Sequence, residues 1–541
     1  MSKSTTKRAA KRESKREAKR TAKLGAKRTR VSFLRLSIVA VLVGVLGWAG
    51  FNSFAAVISR TVEPGASVFA AYVDVTVTPT YSFGTPAGPA QSNVILSFIV
   101  ADPTSACTPL WGGAYTLDAA SSDLELDRRI SQLRSTGGVA RVSFGGQAGT
   151  EIAVACTDAP ALETAYQSVV DRYELSSIDL DIEGASLADT DAGARRATAI
   201  KAVQDQTLEN GRHLAVWLTL PVATTGLTAD GLSVVNQMLA AGVDVTGVNG
   251  MTMDFNSGVD ASAPYSDAVL ESANALQVQV RQAYKDMNIT LNDNEAWEKV
   301  GVTPMIGQND IPGEIFTLSD AKVVNEFARV HGLGQVSMWS LNRDAPCESP
   351  LPTILTVVQT QCSGVDQGTD TFAEALAEDL PFALAASDVS TSESPSASAS
   401  PTEQPTAVID DETDDPATSP FPIWDAMGTY PTGTKIVWHH NVYKARYWTS
   451  GVAPDTSAAA LADIPWTLIG PVMPGDTPAP LPTLPADSYP QWSATETYTT
   501  GTRVQLGLVP YEAKWWSEGK TPGESVVGGS PWVLITPATD E

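Results

Sequence analysis

From about residue 68 to 385 the chain alternates short, almost wholly apolar runs rich in Val, Ile and Leu with longer segments whose apolar side chains recur every three to four positions. Runs of that first kind suit strands buried on both faces, and the periodic segments suit amphipathic helices. Strands are predicted over 71–77, 94–100, 140–144, 177–182, 214–220, 243–251, 300–306 and 335–339. Helices are predicted over 124–134, 161–172, 194–209, 232–241, 265–288 and 318–331. Eight strands alternating with helices favour an α/β fold of the closed parallel (β/α)8 TIM barrel kind, whose chemistry sits where the strands end.

The pattern then changes. Residues 386–420 are rich in Ser, Thr, Pro and acid with few large apolar groups, which predicts a flexible linker, and a Pro-rich second linker is predicted over 471–490. Two short units, 421–470 and 491–537, repeat one another. Trp424, Tyr430, Gly433, Tyr443, Ala445, Tyr447, Trp448 and Pro454 return 68 residues later as Trp492, Tyr498, Gly501, Tyr511, Ala513, Trp515, Trp516 and Pro522. Each unit holds more rings than so small an all-β core encloses. Trp424, Tyr430, Tyr443 and Trp466 are assigned to the core, and Tyr447, Trp448, Trp515 and Trp516 to an exposed surface for flat sugar faces. The units lack the basic groove that base stacking requires, so no nucleic-acid partner is expected.

Charge divides the 541-residue chain. The first 30 residues hold 13 of its 36 Lys and Arg and only two of its 61 Asp and Glu. An apolar segment over 31–58 follows, long enough to span a bilayer as an anchor or to serve as an export signal. Basic residues ahead of it keep the N-terminus inside, so the remainder is expected outside the cell, held at the membrane or secreted. Four cysteines, Cys107, Cys156, Cys347 and Cys362, suit two disulfides in that setting, with three connectivities open. Cys347 and Cys362 are the closest pair in sequence. Cys spacing and only four His point to no metal site, and no cofactor is expected.

The most informative stretch is Ser176-Ser177-Ile178-Asp179-Leu180-Asp181-Ile182-Glu183. In a strand Asp179, Asp181 and Glu183 share one face, roughly 7 Å apart in turn, and three aliphatic side chains fill the other. Crowded carboxylates raise one another's proton affinity, which makes Glu183 the candidate general acid.

Asp-x-Asp-x-Glu after an apolar run resembles the catalytic strand of family 18 glycoside hydrolases, the chitinases and their relatives, except that Ser176 stands where the family has a first Asp. The resemblance extends to Ser143-Phe144-Gly145-Gly146, similar to the family's Ser-x-Gly-Gly. It also takes in Met251-Thr252-Met253-Asp254, similar to Met-x-Tyr-Asp with Met253 in the tyrosine position. It implies catalysis by Glu183, Asp181 and Asp179. It further implies substrate contacts by Asp254, Met251, Met253, Ser143, Gly145, Gly146 and Gln308, with Trp339 as an aromatic floor. The repeated units resemble the small chitin- and cellulose-binding modules at the ends of bacterial chitinases.

Together these resemblances imply a monomeric chitinase acting by substrate-assisted retention, with chitin or a related N-acetylglucosamine polysaccharide as its partner. Two alternatives stay open: a surface lectin that has lost activity, and an endo-N-acetylglucosaminidase acting on other glycans.

Overall fold

The computed structural model describes residues 67–256, 259, 263–349, 351–381, 414–456, 464–478, 481–523 and 530–535. The expected basic arm, the apolar span and most of the first linker lie outside them. Among the described residues no helix is long and apolar enough to cross a membrane.

Eight parallel strands close into a barrel. They are β1 in two pieces, Val68–Phe69 and Ala71–Asp74, β2 Asn93–Ala101, β3 Val139–Gly145, β4 Ser177–Asp181, β5 Ala215–Ala223, β6 Val245–Met251, β7 Val300–Thr303 and β8 Gln335–Val336. Each pairs with the next, and β8 returns to β1 through Val68 opposite Gln335. The outer helices are α1 Leu126–Ser135, α2 Ala159–Arg172, α3 Thr190–Glu209, α4 Ala229–Ala240, α5 Tyr265–Asp286 and α6 Leu318–His331. The ladder of β7 stops at Thr303 because Pro304 has no N–H to continue it.

Local sequence fixes these elements. α2 begins at Asp158, whose carboxylate accepts from Ala161 N–H at 2.9 Å, with a proline in its first turn. α6 opens with a reciprocal Thr317–Asp320 capping box and ends at Gly332 in the left-handed conformation that glycine adopts without strain. Between sheet and helices the Phe144 and Tyr166 rings meet edge-on at 5.0 Å. Beside them the buried Arg196–Glu151 pair closes at 2.8 Å. Disulfides join Cys107 to Cys156 and Cys347 to Cys362.

Each C-terminal unit is a three-stranded antiparallel sheet with a two-stranded ribbon. The first sheet is β9 Lys435–Trp438, β10 Asn441–Ala445 and β11 Trp466–Pro471; the second is β12 Arg503–Leu506, β13 Val509–Ala513 and β14 Trp532–Leu534. The duplication reaches individual hydrogen bonds. Tyr430 OH donates to Asp425 C=O at 2.9 Å and Tyr498 OH to Ser493 C=O at 3.2 Å. Trp466 and Trp532 each donate Nε1–H to a backbone carbonyl, at 2.8 and 2.7 Å.

Tyr430 and Trp466 form the core with Ile436 and Ala445, and Trp424 and Tyr443 pack against it. Tyr447, Trp448 and Trp516 are 43%, 63% and 59% exposed. Trp515 departs from expectation: it is half-buried, with the Lys514 ammonium 4.8 Å over its ring.

The linkers are also shorter than expected. Asp414 accepts from the His439 and His440 N–H groups and so belongs to the first unit. Pro471 still lies in β11, Asp476 is gripped by Arg128 of the barrel, and Leu484 N–H donates to Leu508 of the second unit.

Candidate active site

The acidic strand β4 stands inside the barrel wall, flanked by β3 and β5. Its aliphatic residues Ile178 and Leu180 turn to the helices and are buried, as are Asp179 and Asp181 on the inner face. Ser176, the departure from the family pattern, is exposed at the opposite end of the strand and accepts Ala215 N–H there.

Three hydroxyls hold the Asp179 carboxylate. Ser143 OH and Tyr72 OH donate to Oδ2 at 2.7 and 2.9 Å, and Thr219 OH donates to Oδ1 at 2.7 Å. Burial pushes Asp179 above the usual carboxylate range, and these bonds together with the charge of Arg141 oppose it. Asp181 is raised well above the usual range, by burial first and then by Glu183 and Asp179. Burial pushes Glu183 up to about 7, with Asp254 adding to it and a hydrogen bond to Asp181 opposing it. Asp181 and Glu183 are thus both raised and electrostatically coupled, so their titration belongs to the pair rather than to either residue. The Oδ1 of Asp181 is buried with no hydrogen-bond partner among the described residues.

Above this pair lies an open pocket of about 110 Å³ that Asp181, Glu183, Met251, Met253, Asp254 and Trp339 help to line. Its aromatic wall is a stack of Phe98 on Trp339, 5.5 Å apart and 17° from parallel, with Tyr72 5.9 Å from Trp339. Asp254 takes a left-handed backbone (φ 51°), unusual for a residue with a side chain. Neighbouring segments hold it there: Ile311 N–H donates to its carboxylate at 3.2 Å, and Glu314 accepts Phe255 N–H and Tyr265 OH, each at 2.9 Å. Burial raises Asp254 as well.

Four expected contacts play other roles. Ser143 is fully buried beneath Asp179. Gly145 and Gly146 let backbones approach: a Cβ on Gly145 would sit 1.9 Å from the Asp181 carbonyl oxygen, and one on Gly146 would meet the Phe98 ring at 2.8 Å. Gln308 is buried in a two-residue ribbon with Ile315, and its carbonyl accepts from Arg343 at 2.6 Å. None of the four lines the pocket.

Instead Tyr72, Phe98, Gln147, Thr219, Thr303 and Met305 line it, and none of these stood out in the sequence. Inward parity was the available signal for Thr219, which lies opposite Asp181 in the strand register.

No family model matches the chain. Over 282 residues, 52% of its length, it is 35% identical to a probable bifunctional chitinase/lysozyme of Escherichia coli (strain K12), of which the match covers 31%. Over 220 residues, 40% of its length, it is 36% identical to endochitinase 11 of Metarhizium anisopliae, covering 42% of that protein. The chain thus spans less than half the length of each of these curated relatives. The solved catalytic domain of a hyperthermophilic chitinase from Pyrococcus furiosus is 25% identical and covers 58% of this chain and 96% of its own, with a TM-score of 0.49. By sequence the chain is a relative of chitinases, in keeping with the likeness of its acidic strand to that of family 18 glycoside hydrolases.

Proposed function

We propose that the chain is a chitinase that hydrolyses β-1,4 bonds between N-acetylglucosamine units with net retention of configuration. The observation that carries this reading is the placement of Asp181 and Glu183, both pushed above the usual carboxylate range by burial, together on the lining of a pocket walled by stacked aromatic rings.

Glu183 protonates the glycosidic oxygen, and the leaving sugar departs as an alcohol. The substrate's own acetamido oxygen attacks the anomeric carbon, forming a cationic ring that needs no protein nucleophile. The unpartnered Oδ1 of Asp181 is free to receive the acetamido N–H and to offset that positive charge. Asp254 faces the same group from the segment that follows β6. Glu183, now ionised, takes a proton from the incoming water, and the ring reopens.

The two C-terminal units are read as carbohydrate-binding modules that keep the enzyme on insoluble polymer, with Tyr447, Trp448 and Trp516 as platforms. The N-terminal apolar segment is read as an anchor or export signal that places the barrel outside the cell. Incubating the full chain and its Glu183→Gln variant with chitin oligomers and colloidal chitin tests the proposal. Sugar release by the parent alone is expected. Binding without release by either protein would leave the inactive lectin as the correct reading, and cleavage confined to other N-acetylglucosamine glycans would favour the endoglycosidase.

A further inference from the structure

The two repeated units differ at one cross-strand pair. In the second, Arg503 on β12 lies opposite Glu512 on β13, and the two form an ion pair at 2.8 Å. In the first, the same place holds Lys435 opposite Lys444, two like charges on adjacent strands. Such a pair is unfavourable within an isolated sheet. Lys435 finds its counter-ion outside its own unit: it contacts the carboxylate of Glu125, just ahead of α1 of the barrel.

Glu125 belongs to a larger cluster. Its other oxygen accepts Arg128 Nε–H at 3.0 Å. The Arg128 fork reaches on to Asp476, with Nη1 and Nη2 at 2.9 and 3.3 Å from its two oxygens, and to the Pro471 carbonyl at the end of β11. The side chains of Glu125, Arg128 and Asp476 are 8%, 7% and 17% exposed, so the cluster is largely withdrawn from water. Steric fit agrees. Gly470 lies against α1 so closely that a Cβ there would stand 2.6 Å from the Arg128 carbonyl oxygen.

We propose that the α1 face of the barrel is an intramolecular docking site for the first C-terminal unit, locked by the Lys435–Glu125 and Arg128–Asp476 pairs, so that barrel and unit move as one body. Exposed ion pairs contribute little, but breaking one partner of a buried network leaves an uncompensated charge and costs far more. The lock therefore predicts a fixed orientation for the Tyr447–Trp448 ring pair relative to the barrel, where a free tether would allow many. This inference stands whether or not the barrel hydrolyses chitin, and its test involves no turnover.

Spin labels at Ser122→Cys on the barrel and Thr456→Cys on the first unit would report the distance between them in the full, detergent-solubilised chain. The four native cysteines are disulfide-bonded and stay silent. One narrow distance distribution is expected in the parent. Lys435→Glu, which sets two carboxylates against each other, should broaden it. Lys444→Glu recreates the internal pair of the second unit without touching Glu125, and should also broaden the distribution. It decides the matter if Lys435→Glu fails to fold. A broad distribution in the parent, or identical narrow distributions in every folded variant, would overturn the proposal.

Discussion

The Arg141 guanidinium donates to the Gln335 carboxamide oxygen at 2.5 Å inside the barrel, two residues along β3 from the Ser143 that binds Asp179. Arg141 is buried, lies 5.5 Å over the Trp217 ring, and its Nε–H has no hydrogen-bond partner among the described residues. Burial lowers its pKa, and the charge of Asp179 and the hydroxyl of Tyr72 oppose that. A buried cation with no carboxylate in direct contact is a poor source of stability. Its effect falls instead on the acidic row above it.

Removing that charge should move the activity profile. Arg141 holds Asp179 down, so in Arg141→Met the proton affinity of Asp179 rises and it is more often neutral. A neutral Asp179 no longer raises Asp181, so the coupled Asp181–Glu183 pair should deprotonate at lower pH. The alkaline limb of kcat/KM should shift down by on the order of half a pH unit. Arg141→Lys, which keeps the charge, should shift it less. Coincident profiles for parent and Arg141→Met would show that Arg141 has no electrostatic reach to the site.

Glu183→Gln should separate chemistry from stability. Activity falls by at least about 10² to 10⁴-fold with the loss of the general acid. For stability, the folded pKa of Glu183 is raised from 4.5 to about 7. The fold therefore favours the protonated form, and that contribution is complete below pH 4.5 and lost as pH rises through 7. The neutral amide suffers no such loss. Relative to the parent, the variant should lose less stability as pH rises from 4.5 to 8, read by denaturant unfolding at both values. Parallel stability–pH curves would count against the shift.

The exposed rings should matter for insoluble substrate only. Trp448→Ala combined with Trp516→Ala should weaken pelleting with chitin while soluble-oligomer turnover stays nearly intact. Trp515→Ala should have the smaller effect of the two adjacent rings, because Lys514 covers part of its face. Equal losses from Trp515→Ala and Trp516→Ala in a pelleting assay would contradict that ranking.

The Cys107–Cys156 bridge closes a 49-residue span containing β3 and the Gly145–Gly146 turn. Chain-entropy arithmetic gives about 4 kcal/mol for such a loop as an upper figure. Cys107→Ser with Cys156→Ser should lower the unfolding midpoint in denaturant accordingly. An unchanged midpoint would mean that the unfolded chain already holds these segments together.

Strand order, helix order and the acidic row were legible because each rests on a short-range period: near-continuous apolar runs for buried strands, 3.6 for helices, 2 for Asp179, Asp181 and Glu183. The pocket wall was not. Phe98 and Tyr72 lie in apolar runs where nothing local separates a side chain facing substrate from one facing helix. Gln308 was misplaced for a related reason. It follows β7 at the right distance, but Gly307 turns the backbone (φ 68°) and carries Gln308 into a ribbon away from the pocket. The docking of the first C-terminal unit left a trace only in the Lys435–Lys444 mismatch, visible once strand register is known.

The left-handed backbone of Asp254 changes how mutations at that position must be interpreted. Alanine there removes the carboxylate and also imposes a conformation that β-carbon residues resist, so a dead variant would confound chemistry with backbone relaxation. Asparagine tolerates that conformation best among residues of like size. The asparagine variant, rather than an alanine scan, is the one whose kinetics isolate what the negative charge contributes.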